Sequence, residues 1–250
     1  MPYLIGARAT VGALKLIEGA RRLGRKLDAL SFGPPVTHVY NPLSYAWELH
    51  RRYLERYGDG EREVVLVGMN PGPWGMVQTG VPFGDVEMVR DWLGIDGRVG
   101  RPKKEHPRRR VRGFECHRSE VSGHRLWGWA RERFGSPERF FERFFVLNYC
   151  PLAFLERSGR NRTPDHLPAK ETAPLFELCD ETLYRAVGYL RPRWVIGIGR
   201  FAERRAQRAL TDLEVNVGFL SHPSPANPRS NRGWDRLAEE QLHTLGIEVP

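Results

Sequence analysis

At 250 residues, 40% hydrophobic and 28% charged, the chain suits one large α/β domain or two small ones, and one is favoured. Its 39 Lys and Arg against 30 acids leave a formal charge of +9 and a pI near 9.8, a field suited to a polyanion such as nucleic acid, although membrane surfaces and acidic proteins also fit. Cys116, Cys150 and Cys179 are widely separated and form no C-x-x-C pair. That argues against a disulfide framework or a cysteine-rich metal site and favours a reducing, intracellular compartment, while no apolar run approaches the roughly 20 residues of a membrane helix, so a soluble protein is expected.

Residues 1–35 form a basic N-terminal segment, whose first 26 residues carry Arg8, Lys15, Arg21, Arg22, Arg25 and Lys26 opposed by Glu18 alone. It reads either as a targeting peptide or as a basic helix packed on the body of a domain spanning 36–250. The second reading is favoured because no secretory-type apolar stretch or clear cleavage site follows. Residues 45–57 place Trp47, Tyr53 and Leu54 among charges and predict an amphipathic helix ending at Gly58. The β-branched run 64–67, closed by Gly68, predicts a strand buried on both faces. Further strands are predicted at 144–147, 194–198 and 215–220, and helices at 86–93, 123–134, 171–190, 201–210 and 234–245. This alternation predicts an α/β fold: a single domain with a short, mainly parallel central sheet flanked by helices on both faces.

Open α/β sheets bind ligands beyond the carboxyl ends of their strands. The predicted ends there read Gly68-Met69-Asn70-Pro71-Gly72-Pro73, Asn148-Tyr149-Cys150-Pro151-Leu152 and Ser221-His222-Pro223-Ser224-Pro225. Taken singly, each is an ordinary feature: a tight loop, a strand-end amide, a loop histidine. Together they bring two amides and an imidazole to one rim, on backbone stiffened by proline. The stretch 98–112 holds eight Lys and Arg, among them Arg108, Arg109 and Arg110, with only Glu105 opposing. It predicts an exposed, mobile loop that is either a solvated charge run or a phosphate contact. The loop 222–233, stiffened by Pro223, Pro225 and Pro228, could wedge into a duplex beside an extruded base.

Across most of the chain, about 40–246, these blocks resemble the single-strand-selective monofunctional uracil-DNA glycosylases of the uracil-DNA glycosylase superfamily. The resemblance runs through Gly68 to Met76, Gln78 to Gly84, Ser119 to Gly123, Asn148 to Leu152, Ser158 to Asn161 and His222 to Pro225. It implies that Asn70 positions a hydrolytic water, that His222 hydrogen-bonds O2 of the departing base, that Asn148 reads the uracil edge and that Phe83 stacks on it. It further implies that the backbone from Gly72 to Met76 shapes the pocket near the C5 substituent. Pro223, Ser224, Pro225, Arg229, Arg232 and Arg108 to Arg110 are the expected DNA contacts. Where relatives carry a basic residue just after His-Pro-Ser-Pro, this chain has Ala226, so Arg229 or Arg232 is the candidate substitute.

Breaking an N-glycosidic bond develops positive charge on the sugar and negative charge on the base, so a preorganised donor at O2 suits His222. Asn70 is no strong base, which requires a dissociative reaction with an oriented water. The absence of a lysine from these blocks disfavours a Schiff-base route. The expected activity is therefore a monofunctional DNA base-excision repair glycosylase, needing no cofactor or metal, acting as a monomer on uracil and 5-hydroxymethyluracil in single- and double-stranded DNA. Two alternatives stand beside it. A base-flipping methyltransferase would explain Asn-Pro-Gly-Pro-Trp as an amide-proline motif, but the Gly-rich cofactor loop is missing. A non-catalytic nucleic-acid-binding protein would use the basic surface alone.

Overall fold

The computed structural model describes residues 11–250; the part of the basic segment that carries Arg8 lies outside the described residues. The chain opens with α1 (Val11–Leu27), β1 (Val36–Tyr40), α2 (Pro42–Tyr45) and α3 (Trp47–Tyr57). Helix α1 buries Ala13, Leu16, Ile17, Leu23 and Leu27 in the main core and lies on α3 and on α7 (Ala169–Leu190). The helix predicted over 45–57 is divided at Ala46 (φ −109°, ψ 24°). Asn41 and Pro42 explain the break: the Asn41 side chain accepts from the Leu43 N–H and Pro42 fixes the first turn, so a separate short helix starts there.

Strand β2 (Val64–Gly68) is buried throughout, as its β-branched run predicts. It pairs in parallel with β3 (Phe144–Asn148) on one side and β6 (Trp194–Ile198) on the other, and β7 (Asn216–Leu220) extends the sheet to the order β3-β2-β6-β7. Successive side chains point to opposite faces. On one face Phe145 meets Tyr53 of α3 at 5.4 Å between ring centroids, and a Cβ on Gly197 would lie 2.1 Å from the backbone of α8 (Arg200–Ala209). On the other, Phe144 meets Trp129 of α5 (Val121–Phe134) at 6.0 Å, and Gly218 abuts Leu245 just past α9 (Trp234–Thr244). Helices thus cover both faces, the α/β sandwich that the alternation predicts. The chain leaves β2 toward β3 and β6 toward β7, so a crevice opens at the carboxyl ends of the middle strands.

Further features depart from expectation. A second, antiparallel sheet of β1, β4 (Ala153–Glu156) and β5 (Asn161–Arg162) was not predicted; β5 has only two residues, and β1 buries just its two ends and shows no alternation. The helix predicted over 86–93 is a single π turn, Met88–Trp92, closed by Leu93 N–H to Met88 C=O at 2.9 Å. A wider turn allows Met88, Val89 and Leu93 all to reach the core. The short helices α4 (Met76–Thr79) and α6 (Pro137–Arg143) also went unpredicted.

The basic stretch 98–112 is irregular and mostly exposed but is tied down rather than free. His106 and Val111 are buried, and Val111 joins Tyr40, Val77, Ala153 and Leu155 in a small second core. The Tyr40 hydroxyl accepts from His106 N–H and donates to Arg109 C=O, at 2.7 and 2.8 Å. Buried Gln78 donates to Arg110 C=O and accepts from Arg112 N–H, at 3.2 and 2.8 Å. Charge alone suggested mobility; the buried polar groups beneath the loop, each needing a partner, override it. Among the described residues no helix is long and apolar enough to cross a membrane.

Candidate active site

The crevice holds a cavity of about 350 Å³ lined by Asn70, Gly72, Met76, Phe83, Asn148, His222 and Ser224, with Met69, Pro71, Glu120, Ser122, Asn161 and Thr163 completing the wall. Six residues expected to catalyse or bind the base therefore share one wall with Ser224.

The ends of β2 and β3 set the two amides. Gly68 and Asn148 are register partners, and the pairing continues past the strands through Tyr149 N–H to Gly68 C=O at 2.8 Å and Cys150 N–H to Met69 C=O at 2.9 Å. Asn70 donates its amide N–H to Leu152 C=O at 3.1 Å. A carbonyl can only accept, so this contact fixes the amide orientation and turns Oδ1 elsewhere, unpartnered among the described residues. The Asn148 amide N–H points at Met76 Sδ, 3.3 Å away. A thioether accepts weakly, which leaves that donor available to a ligand with a better acceptor.

His222 follows β7, and its position is built from its own loop. Its carbonyl accepts from Ser230 Oγ at 2.7 Å and from Asn227 Nδ2 at 3.2 Å. The preceding Ser221 carbonyl accepts from Trp234 Nε1 at 2.7 Å. The Ser224 backbone N–H donates to His222 Nδ1 at 3.0 Å. A backbone N–H only donates, so Nδ1 carries the lone pair and the neutral ring holds its proton on Nε2. Burial pulls the imidazole pKa down to about 4, because the apolar surroundings disfavour the cation. The site thus presents a neutral N–H donor from His222 and a fixed carbonyl acceptor from Asn70.

Phe83 sits 6.3 Å from the His222 ring, centroid to centroid, in a left-handed conformation (φ 52°) unusual for an aromatic residue. Its carbonyl accepts from Trp127 Nε1 at 3.1 Å. A Cβ on Gly123 would lie 1.9 Å from that oxygen, so glycine at the start of α5 is what lets the strained turn close against the helix. Glu120, which carried no expected role, caps α5 by accepting from Ser122 and Gly123 N–H at 3.2 and 2.6 Å. Burial raises its pKa, against the pull of those N–H donors. An acid immediately before a helical run was the available signal. Asn161 and Thr163 reach the wall from β5 and beyond, and Asn161 donates to Pro71 C=O at 3.0 Å; a strand too short to recognise hid them.

The expected DNA contacts divide. Pro225, Ala226, Pro228, Arg229 and Arg232 are exposed on the loop after His222, whereas Pro223 is buried and its carbonyl accepts from Arg125 at 2.8 Å, so it serves as scaffold. Asn231 bonds Pro225 C=O at 2.8 Å and Arg125 at 3.0 Å, bracing the exposed tip. Arg108 and Arg110 are exposed and line a neighbouring hollow; Arg109 is half-buried, with its Nε on Gly159 C=O at 2.8 Å. Among the described residues no group of three or more His, Cys, Asp and Glu side chains is placed to hold a metal ion.

The family model of the uracil DNA glycosylase superfamily matches residues 55–242. Two proteins named single-strand selective monofunctional uracil-DNA glycosylase, from Rattus norvegicus and Bos taurus, are each 54% identical to this chain over 233 and 228 residues. These alignments cover 92% and 90% of the chain and 84% of each relative. The Mus musculus protein is 53% identical over 233 residues. The crystal structure of wild-type Pedobacter heparinus SMUG2 has the same fold at 17% identity, with a TM-score of 0.66 over 92% of this chain and 97% of that one.

Proposed function

This chain belongs to the uracil DNA glycosylase superfamily, and from that premise we propose that it is a monofunctional hydrolase that excises uracil and 5-hydroxymethyluracil from single- and double-stranded DNA for base-excision repair. The observation that carries the reading is the complementary polarity of Asn70 and His222 across one cavity: an amide whose nitrogen is committed to Leu152, and an imidazole whose Nδ1 is committed to Ser224.

The extruded base enters the cavity with Phe83 against its face. Asn148 offers an amide to the edge of uracil, its N–H to O4 and its oxygen to N3–H. Cytosine presents the reverse pattern and would leave buried polar groups unpaired. As the glycosidic bond lengthens, negative charge gathers at O2, where His222 Nε2–H donates. One such donor in a preorganised site contributes about 3 to 4 kcal/mol. A neutral donor fits here, because it need not give up its proton. Asn70 Oδ1 holds a water against the developing sugar cation, and the water attacks after the bond has largely broken. No lysine lines the cavity, which supports water rather than an amine as nucleophile.

The backbone of Gly72 to Met76 borders the C5 side. A hydroxymethyl group there replaces a bound water's hydrogen bonds, and the methyl of thymine cannot. Pro225, Ser224, Arg229 and Arg232 form the wedge, with Pro223 as its base, and Arg108, Arg109 and Arg110 meet phosphates. The described part of the basic segment, helix α1, belongs with the glycosylase body at 36–250, and the protein acts as a monomer. Its three cysteines are buried and unpaired, which supports a reducing compartment, the nucleus or the nucleoid according to the cell. The test is substitution. Asn70→Ala and His222→Leu should each lower base release by at least 100-fold, about 2.7 kcal/mol, with DNA binding retained. Unchanged turnover in both variants would remove the assignment.

A further inference from the structure

Beside the base cavity lies a second hollow of about 590 Å³, walled by Trp74, Arg108, Arg110, Arg112, His117 and Arg118, with no acid in its lining. Several surface arginines face acids: Arg51 meets Glu48, Arg133 meets Glu239 and Arg143 meets Glu63. Here, the side chains of Arg108, Arg110 and Arg112 have no hydrogen bond or ion pair among the described residues. Gathering like charges round one hollow costs Coulomb energy, which an incoming anion relieves. Arg118 and Arg109 lie 4.9 and 5.1 Å from the Trp74 ring centroid. Such cation–π contact orders the Arg118 guanidinium without consuming its N–H donors, whereas Arg109 gives its Nε and Nη1 to Gly159 and Arg108 C=O. Arginine forks match the oxygens of a phosphate.

The backbone beneath is equally fixed. Gln78 donates to Pro73 C=O at 2.9 Å and accepts from Arg112 and Gly113 N–H at 2.8 and 3.2 Å, so one buried side chain locks the basic loop to the loop that carries Trp74. Trp74 in turn stands two residues from Gly72 of the base cavity. Two residues span at most about 7 Å, so the two hollows lie side by side.

We propose that this hollow is a phosphate cup that grips the substrate strand one or two nucleotides from the extruded base. The proposal rests on the glycosylase reading for the strand's identity, but its test uses DNA without any excisable base. Binding of a fluorescein-labelled single-stranded 12-mer of thymidylate is measured from 50 to 200 mM salt for the wild type, for R110A/R112A/R118A and for R193A/R204A/R208A. The last removes equal charge from α8 and the segment before β6, and thermal melting checks that all three fold. Each single-strand phosphate contact contributes about 0.7 to the slope of log affinity on log salt, so losing three lowers it by about 2; over this range the wild type should weaken about 20-fold more than the cup variant. The control should keep the wild-type slope. Equal slopes in all three proteins, or equal losses in both variants, would mean a diffuse field and overturn the cup. Polyglutamate displacing the 12-mer as well as unlabelled DNA does would mark a protein-docking surface and overturn it too. If base release fails while the slope difference holds, the cup survives and the catalytic reading does not.

Discussion

Gly68, the last residue of β2, is the point where the geometry of the base cavity is most exposed to a single methyl group. A Cβ added there would lie 2.6 Å from Asn148 Oδ1, 2.6 Å from Phe83 Cε2 and 2.8 Å from Phe83 Cζ. Non-bonded heavy atoms settle at about 3.5 Å or beyond, so Gly68→Ala must displace Asn148, Phe83 or both by almost 1 Å. The backbone at this position is not left-handed, so the substitution tests space alone. A misplacement of about 1 Å in a catalytic constellation costs on the order of 100-fold in rate, or about 2.7 kcal/mol. Overpacking should also lower stability by about 1 to 3 kcal/mol. The assay is kcat/KM for uracil release from a single-stranded oligonucleotide, with urea unfolding in parallel. If the methyl acts by pushing Asn148, the loss should be far less than additive with that of Asn148→Ala, which empties the space. Activity within threefold of wild type at unchanged stability, or full additivity in the double variant, would refute the reasoning.

Other expectations follow from the same contacts. With its pKa near 4, His222 stays neutral at pH 5.5, where an ordinary imidazole would be only about one-tenth neutral; base release should therefore show no tenfold fall between pH 7 and 5.5. The linked stability effect has a definite sign. The folded pKa is depressed, so between about pH 4 and 6.5 the unfolded chain binds a proton that the folded one refuses, and stability falls as pH is lowered through that window. Urea unfolding at pH 5 and 6 should show a slope smaller by about 1.2 kcal/mol per unit in His222→Gln; an identical slope would contradict the buried neutral ring. Ser230→Ala removes the hydroxyl that donates to His222 C=O at 2.7 Å and accepts from Asn227 at 2.9 Å; it should cost about 1 to 3 kcal/mol and lower activity on the same preparation. Asp180→Ala strands Arg205, whose guanidinium pairs with Asp180 and lies against Tyr149 and Phe176; a loss of about 3 to 5 kcal/mol is expected in denaturant unfolding, and a loss under 1 would show that the pair is not energetically buried.

The fold was legible where the physics is repetitive. A run such as 64–67 can only be satisfied by a sheet covered on both faces, and the helices between strands announce themselves by apolar spacing. The antiparallel sheet was not legible, because β5 contributes only Asn161 and Arg162 to it. At the candidate site, Asn70, Asn148 and His222 stood out together because strand ends are few, while their roles came from the family resemblance. What could not be read was their orientation. The tautomer of His222 depends on a backbone N–H two residues on, and the Asn70 amide on the carbonyl of Leu152. Glu120 and Asn161 stayed without roles because their meaning lies in contacts across the fold. The basic stretch misled in one respect: its composition suggests a free loop, but Tyr40 and Gln78 beneath it need partners and hold it down.

The central claim is hydrolysis of a base from DNA by this cavity. It is tested most directly by measuring free base released from labelled single- and double-stranded oligonucleotides containing uracil, 5-hydroxymethyluracil or thymine, with a chelator present. The account predicts release of the first two from both substrates, leaving unbroken strands with abasic sites, and none of thymine. Salt-sensitive binding without release of any base would contradict it and leave a nucleic-acid-binding protein with an idle pocket.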